Sequence, residues 1–237
     1  QPIYKFLGGA VRDRIALYTH PPQAKTPDEI IQPVKDIVNS GHRAFKMDPM
    51  MPNLHVGNAS FLDGEISPEA EATAMDILAA ARETAGADIE ILIDAHGMYN
   101  VPTATRLANQ MAEWDIFWFE EPLLPDDYNG YKILSSKSSI PIATGENEYT
   151  KFGFKELIEK NGATIIQPDA LIMGGATEFM KVAAFAETHH LEIAPHGNQN
   201  VHIQLLCAIP NGLILEYYVS STDPLWGQIY QNDLKLK

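Results

Sequence analysis

Six ionisable residues recur at intervals of about one strand plus one helix: Asp94, Glu120, Glu146, Asp169, His196 and Glu216, separated by 26, 26, 23, 27 and 20 residues. Each closes an apolar run, as in "IEILID", "IFWFEE" and "IPIATGE". A buried strand that ends in an ionisable side chain delivers that group to the strand mouth, where ligands reach it. Carboxylates brought together from three neighbouring strands, Asp94, Glu120 and Glu146, repel one another unless a cation sits among them. All-oxygen coordination with room for water or substrate favours Mg²⁺. Asp169 and His196 follow on adjacent strands. A carboxylate beside an imidazole fixes its tautomer and raises its basicity, which describes a general base. His96 stands two residues after Asp94 in "LIDAHG" and faces the same side, so it can protonate a group leaving from a metal-bound substrate. Asp and Glu also cap the helices that follow strands, but six such groups at one spacing converge on a single mouth.

The elements that must position these groups alternate between strand and helix. Strands are predicted at 15–19, 44–48, 89–94, 116–121, 140–146, 163–169, 191–196 and 212–216. Helical patterns lie between them. Thr26, Pro27 and Glu29 read as a capping box with proline in the first turn, and Ile30, Val34, Ile37 and Val38 as the buried stripe of the helix that follows. Pro33 should bend that helix. Ser67 and Pro68 open the next one. Eight strands, all but the last followed by a helix, predict an α/β fold, a (β/α)7β TIM-like barrel. At 237 residues and 45% hydrophobic content, the chain can bury the core of one such domain.

Charge and cysteine content exclude several function classes. Asp plus Glu outnumber Lys plus Arg by 31 to 17, a net charge of −14, so no nucleic acid partner is expected. Cys207 is the only cysteine, which rules out an internal disulfide and suits a small core residue. No apolar run approaches membrane-spanning length and no signal pattern opens the chain. A cytoplasmic protein without a membrane partner is therefore expected. Residues 49–66 form a long irregular stretch at the active-site end, where Asn53 and His55 could meet substrate hydroxyls or simply face solvent. "MGGA" at 173–176 reads as a tight turn between strand and helix, because no basic residue accompanies it as a phosphate site would require.

In order and spacing, "FKMD", "LIDAHG", "FWFEEPLLP", "PIATGENE", "IIQPDALIMGG", "IAPHG" and "LILEYY" resemble the mandelate racemase group of the enolase superfamily. The resemblance implies a barrel over residues 15–220. It also implies that residues 1–14 lead from an N-terminal α+β capping domain absent here, and that residues 221–237 return toward it. Asp94, Glu120 and Glu146 would bind Mg²⁺, which holds a substrate carboxylate and stabilises the enediolate formed on loss of the α-proton. The first Glu of "EEP" is the ligand position, leaving Glu121 behind it. Racemases of this group carry Lys-x-Lys on the second strand, whereas this chain has Lys46 and Asp48, expected to pair and keep Lys46 charged. That weakens a two-base racemisation. One base, His196 oriented by Asp169, and one acid, His96, equip the chain for β-elimination. Asp-x-His on the third strand resembles the acid sugar dehydratases, the galactonate dehydratase type especially. Lys46 would then neutralise the substrate carboxylate and Glu216 hydrogen-bond to it, with Asp48 and His96 also at the substrate. The expected partner is an acid sugar and the expected assembly a homo-oligomer. A racemase, epimerase or cycloisomerase of the same superfamily is the nearest alternative. A retaining glycosidase lacks its second carboxylate, since the seventh strand supplies His196. A non-catalytic barrel should have lost some of these groups, and none is lost.

Overall fold

Short aliphatic runs covered on both faces, alternating with amphipathic stretches, fold as parallel strands joined by crossover helices. The computed structural model describes residues 1–51, 63–219, 226–230 and 234. Its strands are β1 (Leu17–Tyr18), β2 (Ala44–Met47), β3 (Glu90–Asp94), β4 (Ile116–Glu120), β5 (Ile142–Thr144), β6 (Ile165–Ile166), β7 (Glu192–Ile193) and β8 (Leu215–Glu216). Between them run α1 (Pro27–Asn39), α2 (Pro68–Ala85), α3 (Val101–Met111), α4 (Tyr128–Lys137), α5 (Thr150–Glu159), α6 (Ala176–Thr188) and α7 (Gln199–Leu206), and a short α8 (Trp226–Ile229) follows β8. Asn53 and His55 lie outside the described residues, as does most of 221–237. No helix among the described residues is long and apolar enough to cross a membrane.

Strands β2 to β7 form one parallel sheet in sequence order, and β1 pairs in parallel with β8. Isolated parallel bridges join the two sheets: Thr19 with Phe45, and Ile193 with Gly212. The chain is α/β with parallel sheets. Two large apolar clusters combine strand and helix residues, one including Leu78, Ile91 and Phe119, the other Phe154, Phe179 and Leu206. A third takes one residue from in or beside each strand: Tyr18, Ala44, Leu92, Trp118, Ala143, Ile165, Ala194 and Ile214. Register decides which polar groups share the face of this third cluster. Lys46 pairs with Leu92, Leu92 with Trp118 and Asp94 with Glu120, and residues two apart on a strand face the same way. Lys46, Asp94 and Glu120 therefore project together.

Some expectations are corrected. The ladders are shorter than the apolar runs, so Glu146, Asp169 and His196 lie beyond the last residues of β5, β6 and β7. Backbone turns end the ladders: His96 and Glu121 take φ of 49° and 39°, and Gly145 and Gly197 take 130° and 75°. Positive φ at a non-glycine residue stores strain and concentrates at functional sites. The capping box of α1 does not form. Thr26 makes no side-chain cap bond, and Glu29 instead accepts the Lys25 N–H at 2.7 Å. Pro33 is carried inside α1, which runs on to Asn39. Ser67 does cap α2, accepting the Ala70 N–H at 3.2 Å. In "MGGA", Gly174 and Gly175 take φ of 111° and 93°, a turn that glycine adopts without penalty. Cys207 is half-buried at the end of α7.

Candidate active site

Beyond the C-terminal ends of the strands lies a cavity of about 310 Å³, at the small end of the range for small-molecule sites. Lys46, Asp48, Asp94, His96, Glu146 and His196 line it. Glu120, Asp169 and Glu216 stand behind that lining and are buried.

Lys46 is the centre of a buried charge cluster. Its Nζ lies 2.5 Å from Glu120 Oε1, 2.9 Å from Asp94 Oδ2 and 3.0 Å from Glu216 Oε1. Glu120 Oε1 accepts one of the three ammonium N–H groups, and Asp94 and Glu216 complete the cluster as ion pairs. Burial alone would depress the Lys46 pKa, but Asp94, Glu120 and Glu216 outweigh it and lift it well above the ordinary value. The expected Lys46–Asp48 pair is therefore corrected. The long side chain runs inward to the carboxylates of β3, β4 and β8, while Asp48, just past the end of β2, turns to His96. Lys46 stays charged, but through other partners.

Glu216 holds several protein groups besides Lys46. Its Oε1 also meets His20 Nε2 at 2.9 Å and accepts the Tyr218 hydroxyl at 3.0 Å, and its Oε2 accepts the Gly197 N–H at 2.5 Å. Burial would raise its pKa, yet Lys46 and His20 hold it well below the usual carboxylate range. Both oxygens are taken by protein groups. Glu216 acts as a buried counter-ion that ties Lys46 to the backbone just after His196. Reading the sequence missed His20, which lines the cavity and stacks on Tyr218 at 4.5 Å and 11°. A histidine two residues past an apolar strand in "LYTHPP", the offset by which His96 follows Asp94, was the available signal.

Asp94, Glu120 and Glu146 are oxygen donors of the type a hard cation selects. Among the described residues no three His, Cys, Asp or Glu side chains are gathered as a metal-holding group, and the Lys46 ammonium stands between Asp94 and Glu120. The charge balance nevertheless fits a cation. Burial, then the neighbouring Asp94, pushes the Glu120 carboxyl well above its ordinary pKa. Burial also raises Glu146, opposed by His196 and reinforced by Asp94. One ammonium does not neutralise this group. Behind it, Glu121 accepts the Asn147 side-chain N–H at 2.8 Å and is pushed up to about 8 by burial and Glu146.

The two expected histidines enter the cavity from β3 and β7. The Asp94 carboxylate accepts the His96 backbone N–H at 3.1 Å, and the ring lies between Asp94 Oδ1 at 3.4 Å and Asp48 Oδ2 at 3.5 Å. Burial raises the Asp48 carboxyl to about 7. His196 Nδ1 faces Asp169 Oδ2 at 3.2 Å and its Nε2 faces Glu146 Oε2 at 3.6 Å. Burial depresses the imidazolium, but Asp169, Glu216 and Glu146 outweigh it and raise His196 from 6.5 to about 9. A folded-state pKa above the unfolded one means that the protonated ring stabilises the fold fully below about pH 6.5. That contribution is lost as pH climbs through about 9. In metal-free protein the stability gap between wild type and His196→Asn should therefore shrink by roughly 2–3 kcal/mol from pH 6 to pH 9.5. Denaturant midpoints across that range measure it, and a gap that ignores pH would contradict the pairing.

The family described as enolase C-terminal domain-like matches residues 29–237. The chain is 30% identical over 228 residues to a D-xylonate dehydratase of Haloferax volcanii, covering 92% of this chain and 54% of that protein. It is 34% identical over 200 residues to an L-rhamnonate dehydratase of Saccharopolyspora erythraea, covering 84% and 46%. A solved mandelate racemase/muconate lactonizing enzyme-like protein from Rubrobacter xylanophilus superposes with a TM-score of 0.87 at 29% identity, over 96% of this chain and 62% of that one. The chain spans about half the length of the curated relatives it matches.

Proposed function

The chain belongs to the enolase C-terminal domain-like family, and on that premise we propose that it carries the chemical machinery of an Mg²⁺-dependent acid sugar dehydratase, its eight strands closed as a (β/α)7β barrel over residues 15–220. Support for closure comes from the bridges that join the two sheets and from an apolar cluster with a residue in or beside every strand. Support for the reaction comes from relatives named as dehydratases of xylonate, rhamnonate, galactonate and gluconate.

The observation that carries the reading is the placing of two carboxylate-braced histidines, from β3 and β7, in one cavity whose lysine is already engaged. Asp94, Glu120 and Glu146 would hold Mg²⁺, which supplies positive charge for the substrate carboxylate and for the negative charge that builds as the α-proton leaves. His196 takes the α-proton, its ring oriented by Asp169 at Nδ1. His96, held between Asp48 and Asp94, gives a proton to the β-hydroxyl, which departs as water. The enol left behind becomes a 2-keto-3-deoxy acid. Lys46, held charged by its three carboxylate partners, is no second base, and this disfavours racemisation.

Incubation with D-xylonate, D-galactonate, D-gluconate and L-rhamnonate in Mg²⁺, followed by assay for 2-keto acids, tests the reaction. His96→Asn should lower dehydration by about 10²- to 10³-fold while α-proton exchange with solvent persists. Inversion of the α-carbon without release of water would replace dehydration with racemisation.

A further inference from the structure

His202, fully buried on α7, is used by none of the steps above. Its Nε2 accepts the Ala170 N–H at 3.0 Å and lies 3.5 Å from Asp169 Oδ1. The ring packs near-parallel to Phe179 of α6 at 6.0 Å. Because Nε2 accepts, its proton must sit on Nδ1, and burial lowers the imidazole pKa, which keeps the ring neutral. Asp169 stands at the head of a turn in which three successive amides donate back to it. Leu171 donates to Asp169 Oδ1 at 2.8 Å, and Ile172 and Met173 donate to the Asp169 carbonyl at 3.0 and 2.8 Å. The Ala170 amide is the exception, and it goes to His202.

We infer that His202 is a positioning residue for the Asp169–His196 pair: by accepting the Ala170 N–H it keeps that amide from competing for the Asp169 carboxylate, so that Oδ2 remains free to hold His196 Nδ1. Ala170 is itself buried. Without His202 its N–H has no water to turn to, and a buried donor left unmade seeks the nearest acceptor. The rival acceptor is the adjoining Asp169 carboxylate, whose Oδ1 already accepts the Leu171 N–H at 2.8 Å. Captured by two adjacent amides, the carboxylate would loosen its 3.2 Å contact with His196.

The role of the pair in proton transfer rests on the proposed dehydration, but the positioning can be read without it. Proton NMR of the unsubstituted protein should contain a downfield His196 Nδ1–H signal. The same signal should persist in His202→Gln, whose side-chain oxygen can replace the acceptor, and vanish in His202→Leu. With an exchanged acid sugar, His202→Leu should lose about 10- to 100-fold in α-proton exchange rate at nearly unchanged KM, with His202→Gln restoring most of it, the scale on which outer partners usually act. A loss through general unfolding would not separate rate from KM or be rescued by Gln. Should His202→Leu fail to fold, nitrogen NMR of the unsubstituted protein decides. His202 must carry its proton on Nδ1, and an Nε2–H tautomer would overturn the inference. An Nδ1–H signal of His196 that survives in His202→Leu would overturn it equally. Wild-type protein that exchanges no acid sugar would instead strike the proposed function, while the NMR signals would still decide the role of His202.

Discussion

His196→Asn should abolish exchange of the substrate α-proton with deuterated solvent, a loss of about 10⁴-fold at the upper end of general-base effects, while binding of Mg²⁺ changes little. Asparagine can still donate a side-chain N–H to Asp169, so the buried carboxylate keeps a partner and the turn after β6 keeps its shape. Only the basic nitrogen is removed. The imidazole of the metal-free protein is itself poorly prepared to act, because Asp169, Glu216 and Glu146 hold its pKa up at about 9. A base that is protonated at neutral pH cannot accept a proton. Cation bound at Glu146 should draw off that carboxylate's charge and lower the His196 pKa. Stripping divalent cations should therefore silence exchange near pH 7, and raising the pH toward 9.5 should not fully restore it, because the substrate carboxylate then lacks its counter-charge. Exchange that survives in His196→Asn would transfer the base to another residue.

The order of the strands and the identity of the cavity groups were legible because both follow from period. Apolar runs of four to seven residues ending in Asp, Glu or His at near-constant spacing leave few topologies for a parallel sheet. The run from Ile91 to Asp94 illustrates this, with its last residue at the mouth beside Glu120. Less legible was where each ladder starts and stops. The predicted runs begin at Ile140, Ala163 and Leu191, whereas the ladders begin only at Ile142, Ile165 and Glu192. Backbone turns at Gly145 and Gly197 depend on what the loop must reach.

Partner choice inside the site was the least legible layer. Lys46 and Asp48 are two apart in the run predicted as the second strand, so a pair between them was the economical expectation. A lysine side chain is long enough to span to the next strands, and three carboxylates outbid one. Glu216 was placed at the correct mouth, but its environment depends on His20, Tyr218 and Gly197, which come from segments far apart in sequence or unremarkable in type. His202 lies in a helix with no motif around it. Its importance arises from the one amide of a distant turn that it receives.

Lys46→Met should destabilise the protein by about 3–5 kcal/mol, the usual consequence of removing one partner from a buried ion cluster. Met nearly matches the volume of Lys, so packing changes little and charge is the variable. Without the ammonium, Asp94, Glu120 and Glu216 face one another at 6%, 0% and 0% side-chain exposure. Their folded-state pKa values must then rise, and a carboxyl whose folded pKa exceeds its unfolded one weakens the fold as it is forced to ionise. The loss should accordingly be largest at neutral and alkaline pH and shrink toward pH 4. Mg²⁺ separates this account from simple core damage. On the proposed assignment the cation would share Asp94 and Glu120 with Lys46 in the wild type, whereas in Lys46→Met it would face them without the ammonium. Saturating Mg²⁺ should then raise the unfolding midpoint of the variant by more than that of the wild type, since a ligand stabilises in proportion to its preference for the folded state. Equal shifts in the two proteins would mean that these carboxylates are not where the cation binds. A cost below about 1 kcal/mol, the range of exposed ion pairs, would mean that the cluster is far more hydrated than its burial implies.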